Sequence, residues 1–212
     1  MEPTDHNRRA WDEIHRQRNE ALAGERGLPP QVRHALADLK GKRVLHLQCG
    51  TGEATAELAD LGAVVTGVDS SGQALEAARE RWPSILWVQA DVQALPAELR
   101  RGRFDLVYAG PGSLSVIADL VAWTHEFSAA LRPTGDLLLF EEHPVALCVD
   151  GLMHWRENYF AEGAQRLGQI VNAVTRAGLS VRALEEYPAQ SDGFRRHDAR
   201  IPGTFLLYAQ KG

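Results

Sequence analysis

The chain has 212 residues, 44% of them apolar and 24% charged, which is the balance of an ordinary globular protein of one domain with small additions. Its two cysteines, Cys49 and Cys148, exclude a disulfide scaffold and a zinc ribbon. The net charge of −5, from 23 basic and 28 acidic residues, argues against capture of nucleic acid through its phosphates.

Met1 to His6 hold no basic stretch leading into an apolar run, and no apolar stretch reaches the ~20 residues of a membrane helix. A cytoplasmic protein without a signal peptide is therefore expected. The first predicted element is an amphipathic helix over Asn7–Ala23, with Trp11, Ile14, Arg18 and Leu22 at helical spacing and Asp5 in position to cap it. Gly24 to Pro30 reads as a break, and a short helix is expected over Gln31–Leu39. Residues 1–40 thus form a helical unit ahead of a main domain spanning 41–212.

From Lys42 the pattern alternates. Strands are predicted at Arg43–Gln48, Ala63–Asp69, Ile85–Gln89, Arg103–Ala109 and Asp136–Glu141. Helices are predicted between them at Glu53–Leu61, Gly72–Arg81 (capped by Ser71) and Ser115–Leu131, the last ended by Pro133 and Gly135. An irregular stretch, a helix over Arg166–Gly178 and two last strands, Ser180–Tyr187 and Gly203–Gln210, complete the chain. Near-continuous apolar strands alternating with helices predict a parallel sheet covered on both faces. The connection between the last two strands is too short for a helical crossover, so they pair antiparallel. The expected fold is a Rossmann-like, doubly wound α/β sheet of seven strands, mostly parallel with the last strand reversed.

In such a sheet a ligand lies beyond the carboxyl ends of the strands. The first strand ends in Gln48-Cys49-Gly50-Thr51-Gly52, where glycines let the backbone approach a ligand and helix N–H groups point at it. The second strand ends in Asp69, roughly 20 residues beyond the glycines, where a carboxylate accepts from ribose hydroxyls. The third is followed by Ala90-Asp91-Val92, a second carboxylate suited to an adenine amino group. A tight-turn role for the glycines and a helix-capping role for Asp69 are the plainer alternatives.

These motifs together resemble the class I S-adenosylmethionine-dependent methyltransferases. Val44 to Gly52 is similar to that family's first motif and Val65 to Ser71 to its second. Ala90-Asp91-Val92 with Leu95-Pro96, and then Phe104 to Tyr108, are similar to the third and fourth. Leu131 to Leu139 is similar to the family's connection into the fifth strand. The resemblance runs from about Gly41 to the C-terminus. It implies S-adenosyl-L-methionine as cofactor, with S-adenosyl-L-homocysteine as product. It further implies that Gly50, Thr51 and Gly52 lie under the methionine part, that Asp69 holds the ribose and Ser70 flanks the adenine, that Asp91 and the Val92 N–H read the adenine edge, and that Ala109 faces the sulfonium. His46 and Gln48 depart from the usual first motif, which has an acid and a further glycine there. Gln48 is the candidate to supply a carbonyl acceptor to the cofactor's amino group, with backbone carbonyls as the alternative. The N-terminal helix resembles the lid of small-molecule members, with Trp11 packing on the cofactor or, equally, fastening the helix to the sheet.

The expected acceptor pocket is built by Gly110–Leu114, Glu141–Pro144, Trp155–Phe160 and Ser191–Arg200. His143 is the candidate general base, because it follows a strand end at the active face and titrates near neutrality; a purely structural histidine is the competing reading. Glu141, Glu142 and His143 with Asp150 and His154 match no metal-ligand spacing, so no metal is expected. Arg156, Arg195, Arg196 and Arg200 point to an acidic substrate only as a minor alternative. The expected activity is methyl transfer to an O, N, S or C atom of a small molecule by a monomer or homodimer that engages neither nucleic acid nor membrane. A non-catalytic S-adenosylmethionine-binding protein is the alternative, and a nicotinamide-dependent oxidoreductase a weaker one, since Thr55 stands where a third glycine belongs.

Overall fold

The sheet begins at β1, Arg43–Leu47, whose four residues after Arg43 are all buried, as expected of a central parallel strand covered on both faces. The computed structural model describes residues 27–36, 38–149, 154–161, 163–189 and 199–212. The helix expected over Asn7–Ala23, with Trp11, lies outside the described residues, as do Asp150 and most of the loop expected at Ser191–Arg200.

Seven strands form one sheet. After β1 come β2 (Val64–Asp69), β3 (Leu86–Gln89), β4 (Phe104–Ala109), β5 (Leu131–Glu142), β6 (Leu179–Pro188) and β7 (Pro202–Lys211), arranged in the order β3-β2-β1-β4-β5-β7-β6. Strands β1 to β5 pair parallel, while β7 runs antiparallel to both β5 and β6. The strand order reverses between β1 and β4, so the switch point lies beyond Leu47 and Ala109, which are partners in register.

Helices cover both faces. One face carries α1 (Pro30–Ala35) and α2 (Glu53–Asp60), which bury Val32 and Leu58 against Val44, Tyr108, Leu138, Phe140 and Leu206. The other carries α4 (Leu120–Ala130) and α5 (Leu167–Arg176), which bury Trp123, Phe127, Ile170 and Val174 against Leu45, Val107, Leu137 and Leu207. Trp123 and Phe127 meet edge to face with centroids 5.0 Å apart. Helix α3 (Gly72–Arg81) is capped by the Ser71 hydroxyl, which accepts from Ala74 N, and packs Leu75 and Ala78 on Trp87.

Three expectations are corrected. Helix α1 ends at Ala35 because Leu36 is already extended, and Asp38 then accepts from Lys40 N in a turn. Leu28, Val32 and Leu39 are buried in the core on this face of the sheet. The helix expected from Ser115 starts only at Leu120, where Asp119 accepts from Val121 N and Ala122 N. Before it, Leu114–Val116 forms a single 3₁₀ turn, and its apolar residues mimic a continuing helical period. Strand β5 begins at Leu131, five residues earlier than expected; Pro133 and Gly135 mark an irregularity within it, not a separate turn, as the pairing jumps from Phe104↔Leu131 to Leu106↔Asp136.

Candidate functional site

The carboxyl ends of β1, β2, β3 and β4 bring together the residues that the sequence singles out. Gln48 leaves β1 with φ 52°, Gly50 follows with φ 54° and Gly52 with φ 91°. The two glycines answer to different constraints. A Cβ on Gly52 would lie 2.5 Å from the Trp87 ring, so this glycine is fixed by packing as well as by its left-handed backbone. A Cβ on Gly50 would meet nothing within 4 Å among the described residues, so the turn is bare there and faces open space. Trp87, which the sequence reading passed over, wedges the turn from below. It also approaches Gly67 and is anchored by Nε1 donating to Trp82 O at 3.1 Å.

Asp69 ends β2 and organises two loops. Its Oδ2 accepts from Gly50 N at 2.8 Å and its Oδ1 from Ser71 N at 2.8 Å. Ser70 is exposed between them, and its carbonyl accepts from Gln89 Nε2. Asp91 is exposed after β3, where its Oδ1 accepts from Gln93 N at 2.8 Å, while Val92 beside it is buried. The Thr51 hydroxyl donates to Glu53 Oε2 at the start of α2, and Glu53 pairs with Arg81. Ala109 is fully buried within the core, so this position offers a ligand its backbone and not its methyl group.

The two departures in the first motif have distinct roles. His46 is buried, with Nδ1 2.7 Å from Thr55 Oγ1 and its ring 4.8 Å from that of Tyr108; burial pushes its pKa down to about 3. It is a neutral core group. Gln48 Nε2 donates to Ser113 O at 2.8 Å and ties β1 to the turn after β4, whereas its Oε1 is buried with no partner among the described residues. An unsatisfied buried acceptor beside a bare glycine turn is the feature a ligand's ammonium group would complete.

Beyond β4 and β5 opens a cavity of about 260 Å³. Glu141 lies at its base, 3% exposed. Its Oε1 accepts from Gly112 N at 2.6 Å and from Glu142 N at 2.8 Å, and its Oε2 from Leu114 N at 2.8 Å. This carboxylate therefore holds the loop after β4 in place. Burial raises its pKa to about 7 against the downward pull of those three N–H groups. Two of the four segments expected to build the pocket do so, through Gly112, Leu114, Glu141, Glu142 and Pro144. A third contributes Phe160 to an adjoining open cleft, and Ser115, Ile117, Leu147, Gly163, Gln165 and Ile170, none of them in the expected segments, supply the remainder.

His143 is not brought into that cavity among the described lining residues. Its Nδ1 accepts from Val145 N at 3.1 Å, and its Nε2 lies 2.9 Å from Glu186 Oε1, near enough for charge pairing but out of line for a hydrogen bond. Phe205 stands edge-on to the ring. Burial lowers its pKa, with Glu186 opposing. The ring is thus held at the β5–β6–β7 end through Nδ1, with Nε2 against Glu186. Arg195 and Arg196 lie outside the described residues, and Arg156 and Arg200 are not among the described residues lining the cavity.

A doubly wound sheet with a bare glycine turn at its switch point and carboxylates at the next two strand ends defines a nucleotide-type ligand-binding domain of the Rossmann-like class. Comparison with known proteins narrows this. Residues 44–135 match the family model described as a methyltransferase domain. An uncharacterised methyltransferase of Synechocystis is 34% identical over 112 residues, which cover 51% of this chain and 50% of that protein. A demethylmenaquinone methyltransferase of Beutenbergia cavernae is 38% identical over 108 residues, covering 50% of this chain and 43% of that protein. The chain thus spans about half the length or less of these curated relatives. Among solved structures, an S-adenosylmethionine-dependent methyltransferase of Mesorhizobium loti superposes with a TM-score of 0.71 at 24% identity, covering 86% of this chain and 96% of that one. Residues 44–135 are thus similar to a methyltransferase domain, and the fold as a whole is shared with an S-adenosylmethionine-dependent methyltransferase.

Proposed function

We propose that the protein transfers a methyl group from S-adenosylmethionine to an O, N, S or C atom of a small molecule. The observation that carries this reading is the turn at the end of β1, where Gly50 faces open space beside the unpartnered Oε1 of Gln48 and the carboxylate of Asp69. A small-molecule acceptor is supported by the confined cavity and by the presence of a demethylmenaquinone methyltransferase among the relatives. The reading takes the protein to be cytoplasmic and to act on its own or as a homodimer; among the described residues no helix is long and apolar enough to cross a membrane.

When bound, S-adenosylmethionine supplies an electrophilic methyl group on a sulfonium. The residues of this chain hold and enclose the reactants. An ionised carboxylate has about four acceptor positions, so Asp69 keeps about two for ribose hydroxyls after taking Gly50 N and Ser71 N. Gln48 Oε1 accepts from the amino group of the methionine part. Asp91 keeps its Oδ2 for an adenine amino group, with the Val92 N–H and Ser70 beside it. Gly50, Thr51 and Gly52 form the floor under the methionine part. Glu141 fixes the Gly112–Leu114 loop, so the acceptor is oriented by a rigid wall and shielded from water. Trp11, and the lid role proposed for the N-terminal helix, lie outside the described residues.

Titration calorimetry tests the cofactor assignment. S-adenosylmethionine and S-adenosylhomocysteine are expected to bind at micromolar concentrations and NADH not at all; saturable NADH binding without a response to S-adenosylhomocysteine would overturn it. Label transfer from methyl-labelled cofactor into phenols, amines, thiols and carboxylic acids separates an enzyme from a protein that only binds.

A further inference from the structure

We infer that the cavity beyond Glu141 takes a small, largely apolar molecule with a hydrogen-bond-donating amine head, and that it rejects carboxylates. The inference deepens the proposed methyl transfer and rests on it for the fate of the bound molecule, though not for the binding itself.

Size comes first. About 260 Å³ lies just below the ~300–1,000 Å³ common for ligand pockets, room for a body of about one ring. Leu114, Ile117, Pro144, Leu147 and Ile170 give that body an apolar wall.

The polar wall is biased towards acceptors. Gln165 donates through Nε2 to Ile117 O at 2.6 Å, which fixes the amide orientation, and its Oε1 is left buried with no partner. Ionised, as it is above about pH 7, Glu141 spends three of its roughly four acceptor positions on Gly112 N, Leu114 N and Glu142 N, and one remains. Among the described lining residues there is no Lys, Arg or His. An amine finds two acceptors here, one of which the protein cannot satisfy itself. A carboxylate would lie against Glu141 and Glu142, desolvated and without a cationic partner, which is a penalty and not merely a missing attraction.

Phenethylamine and 3-phenylpropionate serve as matched probes, with one ring and a short tether each. Both are titrated calorimetrically into the full chain at about pH 8, where Glu141 is ionised, with and without saturating S-adenosylhomocysteine. The amine is expected to bind at least tenfold tighter than the carboxylate. Gln165→Leu is expected to shrink that ratio several-fold by weakening the amine, with the melting temperature confirming the fold. Gln165→Glu, which keeps an acceptor and adds charge, is expected to widen the ratio. Equal binding, tighter carboxylate binding, no binding of either probe, or a ratio untouched by both variants overturns the inference. S-adenosylhomocysteine is read on its own in the same titrations: its failure to bind overturns the proposed function, while the amine-to-carboxylate ratio still decides the character of the cavity.

Discussion

The Asp69 carboxylate accepts the N–H of Gly50 at 2.8 Å, so the acid at the end of β2 also sets the shape of the glycine turn at the end of β1. The same side chain takes Ser71 N through its other oxygen. Replacing it removes a ligand for ribose and a brace for the turn together. Asp69→Ala is expected to weaken S-adenosylhomocysteine binding at least tenfold, about 1.4 kcal/mol, as measured by calorimetry. Asp69→Asn retains one acceptor oxygen and is expected to fall between the two. Unchanged affinity in the alanine variant would sink the assignment.

The two glycines of the turn separate folding from binding. Gly52→Ala forces a side chain into φ 91° and against Trp87 at 2.5 Å. Backbone strain of this kind alone costs on the order of 1–3 kcal/mol, so urea unfolding should show a clear loss of stability. Gly50→Ala meets no protein atom within 4 Å and carries only the milder left-handed cost, roughly 1–2 kcal/mol. It is expected to remain the more stable variant yet to lose S-adenosylhomocysteine binding, because its methyl group fills the space kept for the ligand. The reverse order of stability, or normal binding by Gly50→Ala, would contradict the cradle.

What could be read from the sequence follows from the range of the interactions involved. Strands β1, β2 and β4 and helix α3 are written locally, in apolar runs, a cap at Ser71 and glycines that end each run, and they fall within a residue or so of expectation. The start of α4 was also written locally, in the Asp119 cap, but the apolar Leu114, Val116 and Ile117 ahead of it imitate helical spacing and hide it. The extension of β5 back to Leu131 depends on pairing with Phe104, a distant partner that no local pattern reveals. The strand-end residues of the site were legible because fold topology dictates where they stand. The clamp made by Glu141 was not, because its three partners are backbone N–H groups, which look the same in every sequence. Gln165 gave no signal either, lying in an irregular stretch whose position is set by packing near Ile117.

His143 shows how a residue at the right strand end can still point elsewhere. Its Nδ1 accepts from Val145 N, its Nε2 lies against Glu186, and the ring is not among the described residues that line the cavity. His143→Gln is expected to lower the melting temperature by loosening the β5–β6–β7 corner while leaving the rate of methyl transfer within about threefold. General-base residues contribute roughly 10²–10⁴-fold, so a loss of that size in single-turnover label transfer would restore His143 to the base role.

Glu141 makes stability depend on pH in a direction opposite to that of most carboxylates. Burial raises its pKa in the folded protein to about 7, above the ~4.3 of an exposed glutamate. Between those values the folded chain holds a proton that the unfolded chain has released. Stability from this group is therefore full below about pH 4, declines as pH rises and levels off above about pH 7, a total on the order of 3 kcal/mol. His46 works the other way. Its ring is held neutral with a pKa near 3, so stability is lost as pH falls from the ordinary histidine range, ~6.5, towards that value. The two slopes overlap, so the measurement is a difference: urea unfolding at pH 5 and pH 8 for the native chain and for Glu141→Gln. The variant places an amide where Leu114 N–H needs an acceptor and is expected to be weaker at both values. Removing the raised carboxyl should also make its pH 8 minus pH 5 stability more positive than that of the native chain, by roughly the same 3 kcal/mol. Parallel pH profiles for the two proteins would show that the Glu141 carboxyl titrates alike in the folded and unfolded chain.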